Sequence, residues 1–464
     1  MAYRYGDREQ YQLLPACIDD YVGVNDPVRA YDAFVDALNL KELGIDEDPD
    51  QVGNSEYDPR TMLKLFVYGY SYGSDRSSRK LERAAHHNLS FIWLLGGLKP
   101  DHKTIANFRK NNKSALEQVL KQSVRMCLRL GLIEGNILFI DGTKIRANAS
   151  LKHTWNTPRC EATLKQIDKR IEAIMAESEA SDGDSESLIT LGKELREKES
   201  LRGKVATILE ELKRENRMSI NTTDRECVPT RSIHGSYSGY NGQIAVDEKH
   251  GLIASCDVVR SSVDQGLLSS QVSHAMETLG KTCSVAVADG GYSDLGDIGR
   301  IDPTVTVLLP VQRQTDGRFI YDKVSNTYQC PEGHTMILRA VNHGEKRFQY
   351  KMRDASVCKA CSRFGSCTKS RDGRTIGRSF HEDISQQLQE NLQKVELQRM
   401  YKKRGQKVEL PFGHLRRTLS VRSFLLRGLA GAKAEMSLFA SAFNIRRMVT
   451  LLGNVPSFIA AVGT

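Results

Sequence analysis

The sequence predicts an α/β protein, a mixed sheet crossed by helices with helical segments before and after it. Three observations lead there. Asn136-Ile-Leu-Phe-Ile-Asp141-Gly142 is a short, nearly all-apolar run, as in a strand buried on both faces, and it ends on an aspartate and a glycine that lets the backbone turn. Ser284-Val-Ala-Val-Ala-Asp289-Gly-Gly-Tyr292 repeats the pattern, with Val285, Val287 and Asp289 on one face of a strand. Between the two, Tyr240–Asp247 and Leu252–Val259 flank the turn Glu248-Lys-His-Gly251 as a β-hairpin would, and a helix over Asp264–Leu279 follows. Strands interleaved with helical crossovers mark an α/β core.

Residues 1–56 hold helical pieces and turn signals without identifiable chemistry. Asp58-Pro59-Arg60 opens a clear helix, since proline suits a first turn, and Leu63, Phe66, Val67 and Tyr70 form its apolar stripe. Beyond Gly73, Asp75 or a serine caps a second helix beside Arg76, Arg79 and Lys80. Phe91–Leu95 is a third apolar segment, and Asp101 caps a fourth helix carrying Lys103 and Arg109. Short helices with basic and small polar starts suit helix-turn-helix DNA binding, a pattern that any small helical bundle shares. Leu116–Leu130 is a further helix that leads into the Asp141 strand, and Thr304–Leu309 is a strand after the Asp289 one.

Two stretches interrupt this core. Leu164, Ile167, Ile171 and Ile174 repeat at heptad spacing, and Leu188, Leu191 and Leu195, then Val205, Leu209 and Leu212, resume it after an acidic, serine-rich turn over Ser178–Ser187. Two antiparallel helices in a coiled-coil-like hairpin account for that pattern, either as a self-packed insertion or as an arm for dimerisation or DNA. The second stretch clusters Cys330, Cys358, Cys361 and Cys367, two of them in a C-x-x-C, which suits a closed, structural Zn²⁺ site, with His334 as a substitute ligand. Beyond it, 385–415 reads as helical with Gly405 and Pro411 as breaks, and Phe424–Leu452 as an apolar helix.

The 464 residues suffice for two or three domains, and 66 Lys and Arg against 57 Asp and Glu give a net charge of +9. The excess is local: Arg399, Lys402, Lys403, Arg404, Lys407, Arg416 and Arg417 face one acid, Glu409, within 399–417, which favours a polyanion such as nucleic acid. Met1–Gln10 is polar and no apolar run reaches membrane-spanning length, so a cytoplasmic protein without a membrane is expected. Ten cysteines without an export signal suggest reduced thiols or metal ligands. A glycine-rich Lys-Ser/Thr phosphate loop is missing, which argues against ATP dependence.

Either aspartate alone reads as a turn cap; the repetition points to a site. If the two strands are parallel neighbours, both carboxylates project from one edge of the sheet. Carboxylates that close repel unless a cation lies between them, and Mg²⁺ or Mn²⁺ suits oxygen ligands. Two such ions can clamp the attacking and leaving oxygens of a phosphodiester. Two aspartates supply too few oxygens for that, and Glu409, the lone acid of its basic stretch, is a better third ligand than Glu390 or Glu396 among polar neighbours.

Four stretches resemble the bacterial insertion-sequence transposases of the DDE type. They are Tyr68-Gly-Tyr70 through Arg76-Ser-Ser-Arg79 with Pro100-Asp101…Thr104-Ile…Phe108-Arg109; Phe139-Ile-Asp141-Gly-Thr-Lys144; Asp289-Gly-Gly-Tyr292; and Tyr401-Lys-Lys-Arg404…Val408-Glu409…Phe412-Gly…Arg416. The last is similar to the tyrosine, arginine, glutamate, lysine signature of one branch, with four residues rather than three between Arg404 and Glu409 and with arginine for lysine at 416. The resemblance implies an RNase-H-like catalytic core in which Asp141, Asp289 and Glu409 bind two Mg²⁺ (or Mn²⁺) ions. It implies cleavage of element ends and strand transfer into target double-stranded DNA by a DNA-bound homodimer, with Arg76, Arg79, Lys80, Lys103, Arg109, Tyr401, Arg404 and Arg416 on the DNA. The expected layout is a helical DNA-binding part over 1–130, a core over 131–310 with the helical hairpin at 151–220, a Cys-rich insertion over 311–384, and core helices over 385–464. A structure-specific nuclease without strand transfer, or a domesticated inactive DNA-binding regulator, are the alternatives; the presence of all three acids disfavours the second.

Overall fold

The computed structural model describes residues 17–45, 57–72, 76–180, 185–232, 235–311 and 318–463. Gly73, Asp75 and residues 181–184 of the acidic turn lie outside them. In the described part of the N-terminal region, short helices start where the caps dictate. Asp58 accepts from the backbone of Arg60 and Thr61 to open Pro59–Ser71, Ser77 from Lys80 to open Ser78–His87, and Asp101 from Thr104 to open His102–Asn111.

The central sheet is made of β1 (Ile137–Arg146), β2 (Val228–Ser232), β3 (Gly235–Asp247), β4 (Ile253–Val259), β5 (Val285–Val287) and β6 (Thr306–Leu308). β3 pairs antiparallel with β1 along its length, and β2 and β4 share its other edge. β5 and β6 continue the sheet in parallel from β1, in register Phe139↔Val287 and Val287↔Leu308. The mixed helix and sheet of the sequence reading is therefore present. One detail differs: β1 does not end at Asp141 but runs on to Arg146, opposite Gly239. Gly142 is a mid-strand residue. A Cβ there would lie 2.4 Å from Gln243 Nε2 and 2.5 Å from Asp264 Oδ1, so crowding rather than a turn demands glycine.

The hairpin insertion is formed by Thr157–Ala180 and Ser185–Arg214, with a small core of its own around Cys160, Val205, Ile208 and Leu212. Residues 320–379 fold into a second antiparallel sheet, which the sequence reading did not contain: β7 (Ile320–Asp322), β8 (Thr327–Gln329), β9 (Thr335–Asn342), β10 (Arg347–Met352) and β11 (Thr375–Ser379). Beyond it come helices Glu382–Gln393, Val395–Lys402 and Arg404–Gly413 and a π-type turn, His414–Thr418. Gly405 and Pro411, expected as breaks, lie inside Arg404–Gly413; the breaks fall at Lys394 and Lys403.

Helix Leu429–Leu451 is the internal pillar, buried along most of its length. It packs on Lys113–Arg129, Pro59–Ser71 and β4. Asn444 clamps β4 by accepting from Ile253 N and donating to Ile253 O, both at 2.9 Å. One continuous apolar cluster joins the N-terminal helices, the sheet and this pillar, from Val22 to Val462.

Candidate active site

The parallel register places Asp141 and Asp289 side by side, each two residues beyond the paired Phe139 and Val287 and on the same face. Asp141 Oδ1 accepts from Gly142 N at 2.8 Å. Asp289 caps the turn Gly290–Tyr292, accepting from Gly291 N at 2.9 Å. Between the carboxylates sits Arg404: Nη1 donates to Asp141 Oδ2 at 3.1 Å, and Nη2 is 3.8 Å from Asp289 Oδ2. Burial pushes the Asp141 carboxyl up; Arg404 and the Gly142 amide work against that, and the charge of Asp289 adds to it.

The other face of β1 carries a polar hub that the sequence reading missed. Gly142 and Lys144 stand opposite Gln243 and Asn241 of β3. Asp264 lies over them, accepting from Lys144 Nζ at 3.0 Å, Asn241 Nδ2 at 2.7 Å and Gln243 Nε2 at 2.8 Å. Tyr292, three residues past Asp289, donates its hydroxyl to Gln243 Oε1. Burial, then the charges of Asp264, Asp141 and Asp289, push that phenol up, so it stays protonated. Asp264 thus ties β1 to β3, and Gln243, bonded to both Asp264 and Tyr292, extends the network to the loop that begins at Asp289. The available signal was Asn241 and Gln243, two amides of one parity just before the apolar run Ile244–Val246.

Helix Arg404–Gly413 and the π-type turn cross the Asp141 face of β1, since Arg404 reaches Asp141 and Arg416 donates to the Thr143 hydroxyl. Glu409 lies between them, exposed, with no cation partner among the described residues. Its Oε1 is 3.7 Å from where a Cβ on Gly405 would be, so it folds back toward the Arg404 turn. The structure brings Asp141, Asp289 and Arg404 together; among the described residues no three metal-ligating side chains converge on one point. The donors nonetheless fit a hard divalent ion, being all oxygen, and a guanidinium already stands where a cation is needed.

The basic residues divide. Arg79 and Lys103, with Ser77, Ser78, His102 and Asn107, line an open cleft of about 480 Å³ between the starts of two helices, and Lys80 is exposed beside it. Tyr401 packs half-buried against the core. Arg76 and Arg109 do not fit the DNA-contact expectation: they are only 6% and 7% exposed. Arg76 donates to the Ser423 carbonyl and lies 3.7 Å from the fully buried Glu435. Arg109 holds the Arg76 carbonyl at 3.1 Å and lies over the Phe66 ring. Both are structural cations: Arg76 joins the N-terminal helices to the pillar, and Arg109 holds the Arg76 backbone in place. Cys330, Cys358, Cys361 and Cys367 are all free thiols, and with His334 they line one small cavity of about 30 Å³. The Arg363 amide donates to Cys361 Sγ at 3.4 Å.

Comparison with known families adds two matches. Residues 16–111 match a family described as transposase domain (DUF772), and residues 329–449 match one described as transposase DDE domain. Together they indicate an insertion-sequence DDE transposase. No curated protein and no solved structure matches the chain. The matched spans of the transposase include the cleft at Ser77–Arg79, the Cys cluster, Arg404 and Glu409, and they leave β1 and β5 with their aspartates between them. No described helix is long and apolar enough to cross a membrane.

Proposed function

We propose that the transposase cuts the ends of its own element by divalent-metal-dependent hydrolysis of a phosphodiester and then joins the freed 3′-hydroxyl to a target-DNA phosphorus, displacing the target strand's own 3′-oxygen. The observation that carries this is Asp141 and Asp289, side by side on adjacent parallel strands and bridged by a cation. The strand order β2-β3-β1-β5-β6, with β4 also paired to β3, is antiparallel on one side of β1 and parallel on the other, which supports an RNase-H-like core. Asp141 and Asp289 would hold Mg²⁺ or Mn²⁺, with Glu409 as the third carboxylate. Bound there, the ions supply charge neutralisation at the attacking and leaving oxygens. Arg404 and Arg416 position phosphates by paired hydrogen bonds, and Tyr401 supports their helix from behind. Arg79, Lys80 and Lys103 grip the duplex backbone at the cleft, and two copies of the chain pair on DNA, one at each end of the element. Cys330, Cys358, Cys361 and Cys367 would draw together to hold a structural Zn²⁺, which would take no part in the chemistry.

Purified protein with Mg²⁺ should nick a duplex carrying the element's own ends, and Asp141→Asn or Asp289→Asn should abolish nicking, because an amide keeps the shape and loses the charge. Full cleavage by either folded variant would overturn the assignment. Nicking without joining would leave a structure-specific nuclease.

A further inference from the structure

We infer that Arg404 is the resting counter-cation of the Asp141–Asp289 pair, and that a DNA phosphate must draw it off before the pair can take a divalent ion. This rests on the metal-dependent reading above and adds an order of events to it. Two partly buried carboxylates need a positive charge between them. Among the described residues Arg404 is the cation that reaches both, at 3.1 and 3.8 Å. The neighbouring cations are committed elsewhere. Lys144 is held on the opposite face of β1 by Asp264, at 3.0 and 3.1 Å, and Arg416 is bonded to the Thr143 hydroxyl.

Arg404 is built to leave. It is the first residue of its helix, directly after the break at Lys403, so its side chain can swing without unwinding a turn. The helix itself is pinned by its neighbours: Lys403 Nζ bonds Glu248 Oε1 at 2.7 Å, and Lys407 donates to the Glu248 carbonyl. Its side chain remains 19% exposed and its contact with Asp289 is the looser of the two. The two non-bridging oxygens of a phosphodiester offer a guanidinium fork a pair of acceptors, as the two oxygens of a carboxylate do. When the scissile strand arrives, Arg404 exchanges carboxylate for phosphate, the aspartates lose their cation, and Glu409, further along the same helix, would complete an oxygen site. DNA and divalent ion then bind with positive coupling, and by linkage each strengthens the other equally. Off DNA, the protein stays metal-poor.

The test is Mn²⁺ binding to the full chain, read as loss of the free-ion electron paramagnetic resonance signal, with and without a short mixed-sequence duplex. Removing the competing charge in Arg404→Gln should tighten Mn²⁺ binding about tenfold without DNA, within the usual span of coupling between sites. The duplex should tighten wild-type binding by a similar factor and leave Arg404→Gln unchanged. Equal or weaker binding by Arg404→Gln without DNA, or wild-type binding indifferent to the duplex, overturns the inference. The wild-type comparison decides it even if the variant fails to fold. Asp141→Asn separates the two levels: Mn²⁺ binding that is unaffected by this change in every arm refutes the metal reading itself, and the inference with it.

Discussion

Gly142 is a glycine because of what lies above it. Alanine there would drive a methyl into Gln243 Nε2 and Asp264 Oδ1, both within 2.5 Å. Overpacking of this kind costs about 1–3 kcal/mol, so Gly142→Ala should lower the denaturant midpoint of unfolding and loosen the Asp264 hub that holds β1 to β3. At the third acid, Glu409→Gln should leave DNA binding nearly intact while cleavage falls by orders of magnitude, and Glu396→Gln should change little. The reverse pattern, measured in parallel binding and nicking assays, would move the ligand to the preceding helix. Asp141 and Asp289 were legible because each ends an apolar run and repeats the other. Asp264 was not, because its partners Lys144 and Gln243 are 120 and 21 residues away and only the fold assembles them. Arg76 and Arg109 were misread for the same reason: nothing near them in sequence announces that Glu435 lies beneath.

Among the elements, helix starts were readable wherever an aspartate or serine precedes the apolar stripe, as at Asp58 and Asp101. The second sheet was not, since β7 and β8 have only three residues each and much of the larger β9 is exposed. Its core is Phe319, Tyr328, Met336, Tyr350, Met352, Cys358 and Ile376, and the rings of Tyr321, Tyr328 and Tyr350, from separate strands, meet at tilted and edge-on angles. The Cys cavity sits at one side of that sheet, and one Zn²⁺ per chain is expected there by elemental analysis of reduced protein. Cys361→Ser should release it and loosen residues 330–370 to proteolysis before nicking declines; metal-free native protein would refute the site. At the π-type turn, His414 packs on Phe443, and burial with Arg446 beside it pushes the imidazole down to about 4. The unfolded chain takes up that proton near about 6.5. The folded chain does so only near 4, so this contribution is complete above the upper value and is lost as pH falls between the two. Unfolding midpoints compared at neutral and mildly acidic pH should therefore drop less in His414→Phe than in the wild type.

At the scale of the whole molecule, the N-terminal helices are not a tethered module. Tyr31 donates to the Ala442 carbonyl at 3.3 Å, Tyr70 packs on Phe439, and Arg76 reaches the buried Glu435, all on the pillar helix. Removing one partner of a buried pair leaves the other uncompensated, at a cost of about 3–5 kcal/mol. Arg76→Ala should therefore destabilise the entire chain in denaturant unfolding, as a single transition, rather than weaken DNA binding alone.

The joint at Ser423 carries this further. Arg76 holds the Ser423 carbonyl, and the next residue, Phe424, donates at 2.9 Å to Arg146, the last residue of the strand that bears Asp141. The cleft beginning at Ser77 is thereby set at a fixed offset from the acids, and a fixed offset is a ruler. If the cleft grips the duplex as proposed, the position of the cut is chosen by length along the DNA, not by the bases at the cut. Inserting about five base pairs, half a helical turn, between grip and cut would turn the scissile phosphate to the far side of the duplex and silence it. Inserting about ten would restore the face but move the nick, keeping its distance from the grip and changing its sequence.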